Sequence, residues 1–201
     1  MYCLFLDCSF THGVAALFAD GRLVSEVIVS REQSRHPCLL WQNMLEESSL
    51  SLEDISFLAC GVGPGSYTGI RNAASTVKAV SLATNKPIVA VSSLLLFVPC
   101  DIGSYAVVVP GGIGGDFCQQ IEQTQTGCIL GEPRQERGEI SFAERIEVIR
   151  PDMSNVSASS VVGYVYHQRE RGNVYSAESL PLVYLRKTQA EIEKESRGCV
   201  L

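Results

Sequence analysis

The chain has 201 residues, 46% of them hydrophobic and 19% charged, which is enough apolar material for a core and too much for a disordered segment. Its formal net charge is −6, which argues against a protein that grips a phosphate backbone by itself. If nucleic acid is involved, a partner is expected to hold it.

In chain order, Tyr2 to Leu6 is a compact apolar run that ends at Asp7. A second run from Val14 to Phe18 and a third from Leu23 to Val29 flank the turn pair Asp20-Gly21, and together they predict a three-strand meander. Asp7 closes the first strand. Read plainly, it is a turn carboxylate that takes backbone bonds from Ser9 or Phe10. His36-Pro37 opens a helix, with proline in its first turn. Leu40, Trp41, Met44 and Leu45 share one face of that helix.

Residues 55–60 form an apolar run with the pattern of a buried strand, and no glycine or proline occurs between Ile70 and Lys86, which predicts a helix there. The segment between them is Gly61-Val62-Gly63-Pro64-Gly65-Ser66-Tyr67-Thr68-Gly69-Ile70-Arg71. Gly63 and Gly65 permit a tight turn around Pro64, and Ser66 or Thr68 can cap the helix. Such a turn aims backbone N–H groups at whatever lies above it, and the helix dipole favours an anion there. Arg71 would add a positive charge. The loop is not a P-loop, since no Gly-Lys-Ser/Thr follows, and its third glycine is misplaced for a dinucleotide fingerprint. The plain alternative is a turn that only reverses the chain.

The following helix carries small residues in two stripes. Gly69, Ala73, Thr76, Val80 and Ala83 make one; Ile70, Ala74, Val77 and Ser81 make the other. One stripe can face the sheet, and the other would let a second helix come close. The first stripe, with His36, Leu40, Trp41 and Met44, is therefore the expected subunit interface.

Residues 87–91 predict another buried strand, with Ser92 or Ser93 capping a short helix after it. Residues 105–109 predict a strand, followed by a turn with four glycines between Pro110 and Asp116. Residues 117–124 and 126–130 are expected to pair as a hairpin. Residues 132–144 are polar and expected as surface loop, residues 146–149 are a candidate strand, and residues 157–168 have helical spacing. Beyond about residue 186 the chain is charged, lacks a core pattern and is expected to fray.

The eight cysteines contain no Cys-x-x-Cys pair, so zinc or redox chemistry has no local support. They are expected to be free thiols of a reduced, cytoplasmic chain. No basic signal segment leads the sequence, and the apolar stretch 88–98 is too short to span a bilayer. His12, His36 and His167 are scattered, with no His-x-x-x-His pair, and no serine or cysteine has an oriented base beside it.

The string from Gly63 to Arg71, with Lys78 and the run from Lys86 to Leu94, resembles the bacterial TsaB (YeaZ) family, closely over residues 1–95 and thinly afterwards. The resemblance implies an α/β fold of the actin/hsp70/sugar-kinase (ribonuclease H-like) type, with two lobes, the second reduced. It places the lobes at 1–102 and 103–186, with a polar tail at 187–201, and the C-terminal end packing back near the first lobe. Asp7 then occupies the place of an Asp beside nucleotide phosphates and metal. The resemblance implies a non-catalytic subunit for threonylcarbamoyladenosine formation at position 37 of tRNA. Its implied partners are a catalytic TsaD-like paralogue and a TsaE-like ATPase, with homodimers possible in isolation and tRNA met only through the complex. ATP and metal are expected on the partner subunits rather than on this chain. Three departures stand out: Pro37 and Cys38 replace Ser and Glu after His36, and four glycines fill the turn after Pro110. The competing expectation is a stand-alone nucleotide-dependent transferase or kinase using Asp7 and the loop at Gly63 to Gly65.

Overall fold

The computed structural model describes residues 1–125, 127–143, 145–152 and 156–185. The expectation of a frayed tail lies outside them. The first sheet contains β1 (Tyr2–Asp7), β2 (His12–Ala19), β3 (Arg22–Ser30), β4 (Ile55–Gly61) and β5 (Ile88–Val91), in the order β3-β2-β1-β4-β5. The first three strands form the antiparallel meander, and β4 and β5 join in parallel. Asp20 and Gly21 both have positive φ, 48° and 75°, the backbone that a two-residue hairpin turn requires.

Two helices cover one face of this sheet. α1 (Pro37–Glu47) docks through Trp41, whose indole Nε1 donates to the Phe5 carbonyl at 3.0 Å. α2 (Tyr67–Thr84) starts at Ser66, whose hydroxyl accepts from Gly69 N, and ends at Asn85 in the left-handed conformation. Their inner faces, with Leu4, Leu6, Leu58 and Cys60, form one hydrophobic core.

The second sheet has the order β10-β6-β7-β8, with β9 paired to β7. Its strands are β6 (Gly103–Val109), β7 (Asp116–Thr124), β8 (Gly127–Leu130), β9 (Arg134–Glu136) and β10 (Glu147–Ile149). The polar run 132–144 is thus not all surface loop. It contributes β9, and Ile140 is buried with Val108 and Cys118. Neither was legible, because three residues of strand and one buried apolar side chain produce no period.

α3 (Ser159–Glu170) lies between the sheets, and Val161, Val162 and Val165 share a core with Phe5, Phe18, Val89, Val107 and Phe117. Glu26 on β3 fixes the start of α3 by accepting from Ala158 N at 2.8 Å. After α3 the chain returns to the first sheet. Tyr175 exchanges both backbone bonds with Ile88, and Val183 N donates to the Val62 carbonyl at 2.8 Å. The seven described cysteines are all free thiols. No helix among the described residues is long and apolar enough to cross a membrane.

Candidate functional site

The end of β1, the loop after β4 and the start of the segment after β5 converge on Asp7. Its side chain is 1% exposed. Oδ1 accepts from Ser9 N at 2.6 Å, and Oδ2 accepts from the Ser93 hydroxyl. Ser93 Oγ in turn accepts from Gly63 N at 3.1 Å, and Ser93 N donates to the Gly63 carbonyl at 2.9 Å. A Cβ at Gly61 would overlap the Asp7 carboxylate, so glycine is required there for the strands to close around it. Burial pushes the Asp7 carboxyl above its ordinary value, against the pull of the bonds from Ser93 and Ser9. Asp7 is thus a buried tie between β1 and the glycine loop, and each of its oxygens takes a bond from within the protein.

The loop presses α2 onto the β1–β2 turn. Ser66 N donates to the Ser9 carbonyl at 2.6 Å, and a Cβ at Gly69 would overlap the Cys8 carbonyl. Burial, aided by the Asp7 charge, raises the Cys8 thiol to about 12, so it behaves as a small hydrophobe rather than a nucleophile.

Above this turn is a cleft of about 250 Å³ between the sheets. Of the residues expected to face an anion, Gly65 and Ser66 line it; Asp7, Gly63, Thr68 and Arg71 do not. Its charged group is Arg31, whose guanidinium donates to Ser66 Oγ at 3.2 Å. Arg71 instead stacks on the Tyr67 ring at 4.8 Å. The opposite wall is Pro110, Gly111 and Gly112 of the glycine turn, with Phe117 below. This turn is fastened by Gln135, whose Nε2 donates to the Gly115 carbonyl at 3.1 Å. The cleft is smaller than the roughly 300–1,000 Å³ of ordinary ligand sites. It contains no carboxylate for a metal-bound phosphate, so its residues do not fit a nucleotide with its metal. Among the described residues no three His, Cys, Asp or Glu side chains are placed to hold a metal ion.

The expected interface needs correction at its centre. Ala73 is fully buried, and Trp41, Met44 and Thr76 are buried too. Ala73, Trp41 and Met44 belong to this chain's own core, which leaves them no surface for a second chain. The companion stripe of Ile70, Ala74, Val77 and Ser81 is also buried. The second stripe and the middle of the first point inward because α2 packs against β1 and β4 on one side and α1 on another, while Ala83 at the end of the first stripe is exposed. Gly69 is half-buried against the Cys8 carbonyl, while Leu40 and Val80 are partly exposed and His36 is exposed. The outward faces carry different residues. Ser75, Ala79 and Leu82 are exposed on α2, and Leu39 on α1.

Sequence reasoning missed three groups. Ser93 meets Asp7 from 86 positions away, and Arg31 reaches the helix start from 35 away. Tyr184 packs on Tyr67 with ring centroids 4.8 Å apart. None has a local signal, since each contact exists only once the sheet has assembled.

Two five-stranded sheets with a helix between them and a glycine turn at the mouth of the cleft define an α/β protein of two sheets around a shared core. Comparison with known proteins narrows this. The TsaD family, tRNA N6-adenosine threonylcarbamoyltransferase, matches residues 26–100. The tRNA threonylcarbamoyladenosine biosynthesis protein TsaB of Escherichia coli (strain K12) is 32% identical over 96 residues, covering 47% of this chain and 42% of that one. A tRNA N6-adenosine threonylcarbamoyltransferase of Solidesulfovibrio magneticus is 31% identical over 111 residues, covering 47% of this chain and 30% of that one. The aligned stretch thus spans less than half the length of these curated relatives. The solved structure of YeaZ from Pseudomonas aeruginosa superposes with a TM-score of 0.78 at 20% identity, over 90% of this chain and all of that one, which fixes the fold. Over about half its length the chain is thus similar in sequence to TsaB and to the transferases, and over nearly all of it the chain has the fold of YeaZ.

Proposed function

We propose that this chain is a non-catalytic subunit that supports threonylcarbamoyladenosine formation in tRNA by docking a TsaD-like catalytic paralogue in the cytoplasm. The supporting observation is the state of Asp7. The carboxylate that the resemblance puts at the phosphate-and-metal position is 1% exposed, closed in by Gly61 and bonded to Ser9 and Ser93. On this reading the lobes divide at about residue 102, with the tail beyond residue 186 outside both.

The docking surface we assign is the outward face of α1 and α2. Leu39 is 53% exposed and Leu82 66% exposed, and they accompany the small side chains of Ser75 and Ala79. Exposed apolar side chains beside small ones suit a helix-on-helix contact. His36, Leu40 and Val80 lie at its edge, and a TsaE-like ATPase would join the assembled pair. The same face would carry a homodimer in isolation.

Reconstitution tests the reading. A purified TsaD-like subunit of the same cell, with its other components, should form the modified nucleoside in tRNA only when this chain is added. Asp7→Asn should support the reaction as well as the unaltered chain. Loss of product with Asp7→Asn in a folded protein would contradict the non-catalytic role.

A further inference from the structure

We infer that Arg71, held by Tyr67 and Tyr184, is the charged anchor of the docking face and takes a carboxylate of the TsaD-like subunit. The inference rests on the reading that the outward face of α1 and α2 docks that subunit.

Tyr67, Arg71, Ser75 and Ala79 follow one another at four-residue spacing on α2, and Leu82 comes three residues later. All five are exposed. Side chains so spaced are neighbours on a helix surface, and these form one ridge about 22 Å long at 1.5 Å per residue. A helix seated along Ser75, Ala79 and Leu82 therefore reaches Arg71 and Tyr67 at its other end. The docking face continues into this cluster.

Arg71 is the charged residue of the ridge. Among the described residues its guanidinium has no carboxylate partner; the ion pairs there are Met1–Asp20 and Arg134–Glu136. It is nonetheless held in place. The guanidinium stacks on the Tyr67 ring at 4.8 Å, and the Tyr184 ring packs on Tyr67 with centroids 4.8 Å apart. The Tyr184 hydroxyl is a hydrogen-bond neighbour of Arg71. Both rings have rigid supports. Tyr67 opens α2 beside the Ser66 cap, and Tyr184 follows Val183, whose N–H is bonded to the Val62 carbonyl. At 40% and 41% exposure, Tyr67 and Tyr184 keep the cluster on the surface.

A guanidinium fixed in this way gives up little freedom when it binds, and its planar fork matches a carboxylate. Tyrosine and arginine are also among the side chains that dominate contacts between proteins. The rest of the ridge decides the class of partner. Ser75, Ala79 and Leu82 are small or apolar and bring no further cation, whereas a phosphate backbone is gripped by several. A protein helix with a carboxylate opposite Arg71 fits both halves of the ridge.

The test is the affinity of the full chain for the TsaD-like subunit of the same cell, by calorimetry at low and high salt, with tRNA binding by the chain alone followed in parallel. Arg71→Ala should lose roughly tenfold or more. Its remaining affinity should also depend less on salt than that of the unaltered chain. Arg71→Glu should lose more than Arg71→Ala, since it sets two carboxylates against each other. If melting shows that Arg71→Ala does not fold, Arg71→Lys decides; it keeps the charge without the fork and should still weaken pairing. Leu82→Arg is the control for the face. Pairing weakened by Leu82→Arg but unchanged in the folded Arg71 variants overturns the anchor and leaves the docking reading standing. Pairing kept in Arg71→Ala with tRNA binding lost assigns the guanidinium to a phosphate and likewise overturns the anchor. No pairing by the unaltered chain overturns both.

Discussion

Asp7 shows what a buried carboxylate costs and what it organises. Its folded pKa is raised above the ordinary 3.8, mainly by burial. Its contribution to stability is therefore full below that ordinary value and is lost as pH rises through the raised folded value. Asp7→Asn removes the titrating group and can keep both hydrogen bonds. Melting followed against pH should show the variant equal to or more stable than the unaltered chain at neutral pH, with a flatter profile above pH 3.8. Asp7→Ala leaves Ser9 N without its acceptor, while Ser93 Oγ keeps Ser9 Oγ and Gly63 N, and should cost about 1–3 kcal/mol in chemical denaturation. If Asp7→Asn is the more destabilising of the two, Asp7 is ionised and held by charge, and the account of burial is wrong. The plain reading of Asp7 as a turn carboxylate named Ser9 as its partner, and that bond is present. Ser93 was legible only as a helix cap, and its hydroxyl has another use. The tie spans strands that a linear reading cannot bring together.

At the scale of the element, α2 is wedged rather than merely laid on the sheet. Gly69 lets its first turn touch the Cys8 carbonyl, and Ala73 lets its middle approach the core. Gly69→Ala should overpack that contact and destabilise the protein by about 1–3 kcal/mol, measured by denaturant titration. Ala73→Trp should fail to fold, because no void receives the indole. Ala79→Trp, on the exposed side, should melt like the unaltered chain. The limits of α2 were largely readable from its missing glycines and prolines and from the Ser66 cap. Which way its stripes face was not. A helix flanked by a sheet and a second helix needs an apolar arc wider than one stripe, so two small-residue stripes do not imply a partner. The second sheet was less legible at β9 and β10, which have three residues each, and β10 pairs in parallel with a strand some forty positions earlier.

At the scale of the whole molecule, the two sheets share one core through α3, and the chain recrosses to β5 and the β4–α2 loop at its described end. The cleft left between them holds about 250 Å³ and is lined by one arginine and the hydroxyl residues Ser9, Thr11 and Ser66. Calorimetry of the isolated chain with ATP and Mg²⁺ should show weak binding or none, and sub-micromolar affinity would revive the stand-alone transferase or kinase. The central claim is that the outward face of α1 and α2 docks a catalytic paralogue. The direct measurement is the affinity of this chain for the TsaD-like subunit of the same cell, by sedimentation or calorimetry, with Ala79→Trp and Leu82→Arg set against the unaltered chain. The account predicts measurable pairing by the unaltered chain, and a loss of roughly tenfold or more in both folded variants, from overpacking at one site and a buried unpaired charge at the other. Unchanged pairing in both variants, or no pairing by the unaltered chain, would contradict it.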